Sequence, residues 1–262
     1  MQIHVIGDLH GHYPEYEALL RQAEIVDKNL DWRAADNQLW LIGDLFDRGN
    51  QAVACLDLTM KIQQQANTVG GVVQCLMGNH ELMFLAANKF VDTNCGQQLW
   101  QQWIQWGGQQ AEMGNITDAH ISWLCQLPAM AQVGDRLLIH GDNLSYVNYG
   151  TSIDEVNDFF LKLMENEDSD LWQRVLIEFS GRGAFDLGIS GPRQAHLLLK
   201  MYGGKSLIHG HTPIPFVQDI DPSAVTAARN YADGHCCNVD GGIYLGSAGF
   251  VYSYNYQGQF SR

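Results

Sequence analysis

Ile3-His4-Val5-Ile6-Gly7-Asp8-Leu9-His10 opens the chain with an apolar run that stops on a glycine and then sets an aspartate and a histidine two positions apart. The pattern returns four times, as Leu39-Trp40-Leu41-Ile42-Gly43-Asp44, Cys75-Leu76-Met77-Gly78-Asn79-His80-Glu81, Leu137-Leu138-Ile139-His140-Gly141 and Leu207-Ile208-His209-Gly210-His211. Unbroken apolar runs of this length suit strands covered on both faces, as in parallel sheets, and open α/β sheets gather their sites at the carboxyl ends of such strands. Oxygen and nitrogen donors without cysteine suit hard or borderline divalent ions such as Mn, Fe or Zn. One ending of this kind could be a turn followed by a solvated polar residue. Five with the same chemistry argue for one shared site.

Outward from these runs, residues 2–6, 38–42, 72–77, 137–139 and 205–208 read as strands. Pro14 suits the first turn of a helix whose apolar face carries Tyr16, Leu19, Leu20 and Ala23. Residues 51–65 carry helical spacing through Val53, Leu56, Met60 and Ile62. The stretches 81–126 and 152–202 also read as helical. Gly107-Gly108 breaks the first, and a glycine-punctuated loop over 181–193 breaks the second. The tryptophans at 100, 103, 106 and 123 fall at core-like spacing. From His235 onward, short strands predict an antiparallel edge. Early βαβα units followed by hairpins imply an α/β or α+β architecture.

With 262 residues, 46% of them hydrophobic, the chain can bury a large core. Ligand motifs spread from position 8 to 211, so dividing the chain would divide the site, and one domain over 1–262 is expected. A formal net charge of −14 without a Lys/Arg run disfavours nucleic acid as a partner. Bound divalent ions would still make a cleft attractive to phosphate. The six cysteines imply no stapled scaffold, and Cys236-Cys237 reads as strand packing. No stretch approaches 18 apolar residues and no leader pattern precedes the first strand, so the expectation is a cytoplasmic protein without a membrane partner.

Gly7-Asp8-Leu9-His10-Gly11, Gly43-Asp44-Leu45-Phe46-Asp47-Arg48-Gly49 and Gly78-Asn79-His80-Glu81 resemble the three signature blocks of the calcineurin-like metallophosphoesterases. The Asp-Arg-Gly and Asn-His-Glu forms resemble its phosphoprotein phosphatase branch. His140-Gly141 and Gly210-His211-Thr212-Pro213 resemble the branch's two later histidine motifs. The resemblance runs from Ile3 to about Tyr254. It implies a four-layer α/β/β/α sandwich, two mixed sheets packed together and flanked by helices, with helical insertions near 81–126 and 152–202.

It also implies two divalent ions, Mn first and Fe or Zn as alternatives. Asp8, His10 and Asp44 would hold one ion, and Asp44, Asn79, His140 and His211 the other. Two ions about 4 Å apart can hold a bridging hydroxide for in-line attack on phosphorus. His80, beside Asn79, is the expected general acid, and Asp47 the carboxylate that orients it. Arg48 is the expected phosphate contact, with Asn79 beside it. A second arginine is expected at Arg182, with Arg193 as its rival.

Where the wider superfamily carries a second histidine in the last motif, this chain has Pro213. His209 could be packed or could support the ligands, and His12 reads as a loop residue. Asp142 stands where a glycine is common, which bears on substrate-edge contacts. Asp240 reads as structural, organising a loop behind the second ion. The leading expectation is a phosphatase acting on phosphoserine or phosphothreonine in proteins. The alternative is a symmetrical dinucleoside polyphosphate hydrolase, and a minor one is a non-catalytic scaffold. Oligomeric state is not legible.

Overall fold

The computed structural model describes residues 1–93 and 95–256. Asn94, inside a stretch read as helical, and residues 257–262 of the expected domain lie outside the described residues.

Two sheets form the frame. The first runs β3-β2-β1-β9: β1 (Gln2–Ile6), β2 (Gln38–Leu41) and β3 (Val72–Cys75) are parallel, and β9 (Tyr252–Asn255) lies antiparallel to β1. The second runs β4-β5-β6-β8-β7, with β4 (Met130–Val133), β5 (Arg136–Ile139), β6 (Ser206–His209), β7 (Arg229–Tyr231) and β8 (Cys236–Asn238). Here β5, β6 and β8 are parallel, while β4 and β7 pair antiparallel at the two edges.

The period-two alternation of each strand divides the core. Ile3, Val5, Ile42, Leu76, Val133, Leu138, Ile208, Cys237 and Val239 form one buried cluster between the sheets. Ile6, Leu39, Leu41, Val73, Cys75, Leu137, Ile139 and Leu207 point the other way, into the cluster shared with the helices. A strand whose two faces are both covered reads as a solid apolar run, which explains the motif endings. Two mixed sheets with helices outside them are the architecture expected.

Helices α1 (Tyr13–Gln22) and α2 (Ala52–Thr68) carry the parallel connections of the first sheet. The stretch read as one broken helical region becomes α3 (Asn79–Lys89), α4 (Gly96–Gln105) and α5 (Asp118–Leu124), the last capped by Thr117 accepting from the His120 N–H. Three more helices, α6 (Ile153–Glu165), α7 (Ser169–Phe179) and α8 (Ser190–Tyr202), fill 152–202. The side chains of Ser152 and Asp168 cap the first two. A short α9 (Ile214–Gln218) follows the last histidine motif. Among the described residues no helix is long and apolar enough to cross a membrane.

Three expectations change. Helix α8 begins at Ser190, so the loop expected over 181–193 is shorter than its glycines suggest. Strands β4 and β7 were not anticipated. The tail is not one antiparallel edge: β8 sits inside the second sheet, parallel to β6, and β9 crosses to the first.

Candidate metal centre and active site

The carboxyl ends of β1, β2, β5 and β6, with the residues after β3, converge on one buried spot. Two networks of backbone hydrogen bonds zip the loops together. The amides of Leu9 and His10 donate to the Asp44 carbonyl at 3.1 and 2.8 Å, and Gly49 donates to the His10 carbonyl at 2.9 Å. Glu81 does the rest. Its buried carboxylate accepts from the amides of Asp44 (2.7 Å), Leu45 (2.7 Å), Phe46 (3.2 Å) and Gly78 (2.9 Å). The last residue of the Asn-His-Glu motif is therefore the clamp on the Gly43-Asp44 turn. Gly43, at φ 98°, brings the turn so close to Gly78 that a side chain would meet the Gly78 Cα at 2.7 Å.

Strain gathers at the same place. Among the described residues, eleven non-glycine residues have positive φ, and five are His10, Asp44, Asp47, Arg48 and His211. Such conformations persist where surrounding structure over-determines them, and they cluster at functional sites.

The histidines show how the site would meet a cation. A carbonyl can only accept, so a ring nitrogen facing one carries the proton and leaves the other nitrogen as a lone pair. His10 Nδ1 faces the Phe46 carbonyl at 2.8 Å, and His140 Nδ1 faces that of Ile42 at 2.8 Å. His211 Nε2 faces the Ser180 carbonyl at 3.1 Å. The free His140 Nε2 then lies 3.0 Å from Asn79 Oδ1 and 3.4 Å from Asp44 Oδ1. His10 Nε2 lies 3.6 Å from Asp44 Oδ2 and 3.9 Å from Asp8 Oδ2. Lone pairs face lone pairs in both places, an arrangement that calls for a cation between them.

Burial pushes the pKa values of His10, His140 and His211 down, which keeps the imidazoles neutral and able to ligate. Two donor clusters, His10–Asp44–His80 and Asp44–His140–His211, each hold their atoms within 4.8 Å, and Asp44 belongs to both. Asp8 stands at the edge, its two oxygens accepting from the His211 amide at 3.0 and 3.1 Å. The donor set fits divalent ions.

His80 is held differently. Its Nδ1 lies 2.6 Å from Asp47 Oδ2, while Asp47 Oδ1 accepts from the Trp103 indole at 2.8 Å. Burial works against the imidazolium, but the Asp44 and Asp47 carboxylates outweigh it and raise the His80 pKa. Arg48 Nη2 lies 3.3 Å from His80 Nε2. Its guanidinium stacks 3.8 Å over the ring of Tyr244, which also meets the His10 ring edge-on at 5.0 Å. Tyr244 and the Asp47 bond of Trp103 escaped the sequence reading. Trp103 is core, as its spacing implied, but its N–H reaches the site. Trp106, read as core, stands 37% exposed near His80.

Arg182, exposed in the loop after α7, lies close enough to His140, His211 and Asp240 to act on their charge states. Arg193 lies on α8 and lines a separate surface cleft with His196 and His235. His209 is packed: its Nε2 meets the Tyr231 hydroxyl at 2.7 Å, and that hydroxyl and Thr212 bind the buried Asp142 carboxylate. Asp142 is thus turned away from any substrate edge. His12 stays in its loop, bonded to the His10 carbonyl at 2.7 Å.

The chain is 29% identical over 101 residues to Shewanella-like protein phosphatase 2 of Arabidopsis thaliana, covering 38% of this chain and 26% of that one. It is 35% identical over 86 residues to the symmetrical bis(5'-nucleosyl)-tetraphosphatase of Actinobacillus pleuropneumoniae serotype 3 (strain JL03), 33% of this chain and 27% of that one. The matches thus span about a quarter of these relatives' length. In fold, the chain is similar to a cold-active protein-tyrosine phosphatase of a psychrophilic Shewanella, with a TM-score of 0.74 at 20% identity over 96% of this chain and 74% of that one. The family model described as calcineurin-like phosphoesterase matches residues 1–215. That span contains both donor clusters and every strand end that builds them, and the chain belongs to the calcineurin-like phosphoesterase family.

Proposed function

We propose that the chain is a binuclear metal-dependent phosphatase that hydrolyses phosphomonoesters, with phosphoserine and phosphothreonine in proteins as substrates. The observation that carries this reading is the juxtaposition of cation-seeking lone pairs at His10, Asp44, Asn79 and His140 with a histidine, His80, whose Nδ1 is engaged by the Asp47 carboxylate. A scaffold that merely bound metal would not need the Asp47–His80 pair, which argues against the non-catalytic alternative.

Asp8, His10 and Asp44 would hold one ion, and Asp44, Asn79, His140 and His211 the other, with Mn the best match. Divalent ions bound there supply Lewis acidity toward the phosphoryl oxygens and lower the pKa of an attacking water. The chain's residues do the rest. Asp47 fixes His80 through Nδ1, so Nε2 faces the cleft and can protonate the leaving alkoxide. Arg48, stacked on Tyr244, offers its planar fork to the phosphoryl oxygens. Arg182 supplies a second cation from the opposite loop.

Hydrolysis of a symmetrical dinucleoside tetraphosphate is the second reading, supported by the tetraphosphatase relatives over 33% of the chain. The net charge of −14, with two arginines at the site, favours the less charged monoester. The shared inter-sheet core supports one domain over 1–262, with helical insertions near 81–126 and 152–202. A cytoplasmic setting and a phosphoester partner without nucleic acid complete the reading.

The test is a comparison of metal-stripped and Mn-reconstituted protein on a phosphoserine peptide, a phosphothreonine peptide and diadenosine tetraphosphate. Mn-dependent turnover of the peptides is expected. Turnover of the dinucleotide alone would install the second reading, and full activity after complete metal removal would overturn both.

A further inference from the structure

The mechanism leaves the buried carboxylate of Asp240 unused. Asp240 is fully buried, just past β8. The Val239 N–H donates to the His209 carbonyl at 2.8 Å, and the Asp240 carbonyl accepts from the Ile214 N–H at 3.0 Å. These bonds fix the residue beside the His211 loop. On its other flank lies Gly7, where an added side chain would come within 3.0 Å of the Asp240 Cα. That close approach seats Asp240 between the His211 loop and the end of β1, next to Asp8.

Its carboxylate is half satisfied. Oδ1 accepts from the Gly242 N–H at 2.9 Å, while the buried Oδ2 has no partner. Among the charges acting on Asp8, that of Asp240 is the foremost, and Asp44 repels Asp240 in turn. Burial and this repulsion push the Asp240 pKa up to about 7. Arg48 and Arg182 act on it only through space, with no hydrogen bond to Oδ2. An orphan oxygen on a fully buried carboxylate is costly unless a cation or donor reaches it.

We propose that Asp240 is a further carboxylate contact for the divalent ion on the Asp8–His10 side, made through its free Oδ2. The inference rests on the two-ion reading above. It explains why a third acid is tolerated here.

Titration of metal-stripped protein with Mn²⁺ alone, followed by calorimetry, tests it on wild type, Asp240→Asn and Asp240→Glu. Wild type should bind two ions. Asp240→Asn should weaken one site by about 10–100-fold, the range seen when a supporting metal contact is lost, and leave the other within about twofold. The metal-free Asn variant should melt no lower than wild type, because a repulsive charge is gone. Unchanged affinity at both sites, or equal weakening at both with a lower apo melting point, would reduce Asp240 to a structural residue. If the Asn variant does not fold, Asp240→Glu decides: moving the carboxylate one methylene must change one site, and two unchanged sites overturn the proposal. Wild type that binds no Mn²⁺ sinks the two-ion reading and this proposal together. Two wild-type sites with an indifferent Asn variant sink this proposal alone.

Discussion

His80, Asp47 and Trp103 form a chain of buried hydrogen bonds in which each group has one job. The indole and the imidazole occupy both oxygens of Asp47, so the carboxylate cannot swing away from Nδ1. His80→Asn should therefore keep both ions and slow turnover of an alkyl phosphate by about 10²–10⁴, the usual worth of a lost general acid. The defect should shrink on p-nitrophenyl phosphate, whose leaving group needs little protonation. Equal defects on both substrates would remove His80 from the role. Arg48→Ala should lower kcat/KM by about 10²–10³ through loss of a contact to the developing charge. Tyr244→Leu, which removes the ring under the guanidinium, should produce a milder version of the same loss, read as a fall in kcat/KM with metal content unchanged. A silent Tyr244→Leu would show that Arg48 needs no brace.

At the scale of elements, the turn after β2 is the joint on which the site hangs. Four amides donate to Glu81 at the start of α3, which ties that helix to the Asp44 turn. Glu81→Gln keeps the shape but places an NH₂ where an acceptor is needed. A buried group left without its partner costs about 1–3 kcal/mol, so a urea melt of the metal-free variant should show a loss of that order. Stability unchanged by this substitution would mean that the turn holds itself. The same variant should also bind Mn more weakly, since Asp44 sits on the loosened turn.

For the whole molecule, the two sheets meet over a single apolar layer while their strand ends carry the donors. Ions that bind only the folded chain add stability by mass action, about 2.7 kcal/mol when the free ion is 100-fold above its dissociation constant. Chelation should therefore lower the melting temperature as well as abolish activity, and Mn should restore both. Asp44→Asn, which weakens the residue shared by both clusters, should erase most of that Mn-dependent rise. An Asp44→Asn protein that melts like wild type with and without Mn would refute the shared position.

By itself the sequence determined the strand ends and the residues placed on them. Apolar runs closed by Gly-Asp, Gly-Asn-His or His-Gly are local signals, set by burial on both faces and by the tight turns glycine permits. From those runs Asp8, His10, Asp44, Asn79, His140 and His211 could be named. The rest was decided by tertiary structure, because it depends on partners far apart in the chain. The edge strands β4 and β7 are short, and nothing in their composition separates them from loops. Strand β8 carries no mark of running parallel to β6. Tyr244 meets Arg48 only because the connection from β8 to β9 passes the Arg48 loop, and Trp103 reaches Asp47 only because α4 packs on α3. No local pattern reveals that the second oxygen of Asp240 is buried without a partner. Contacts of that kind come from the packing of the two sheets, not from the spacing of residues along either one.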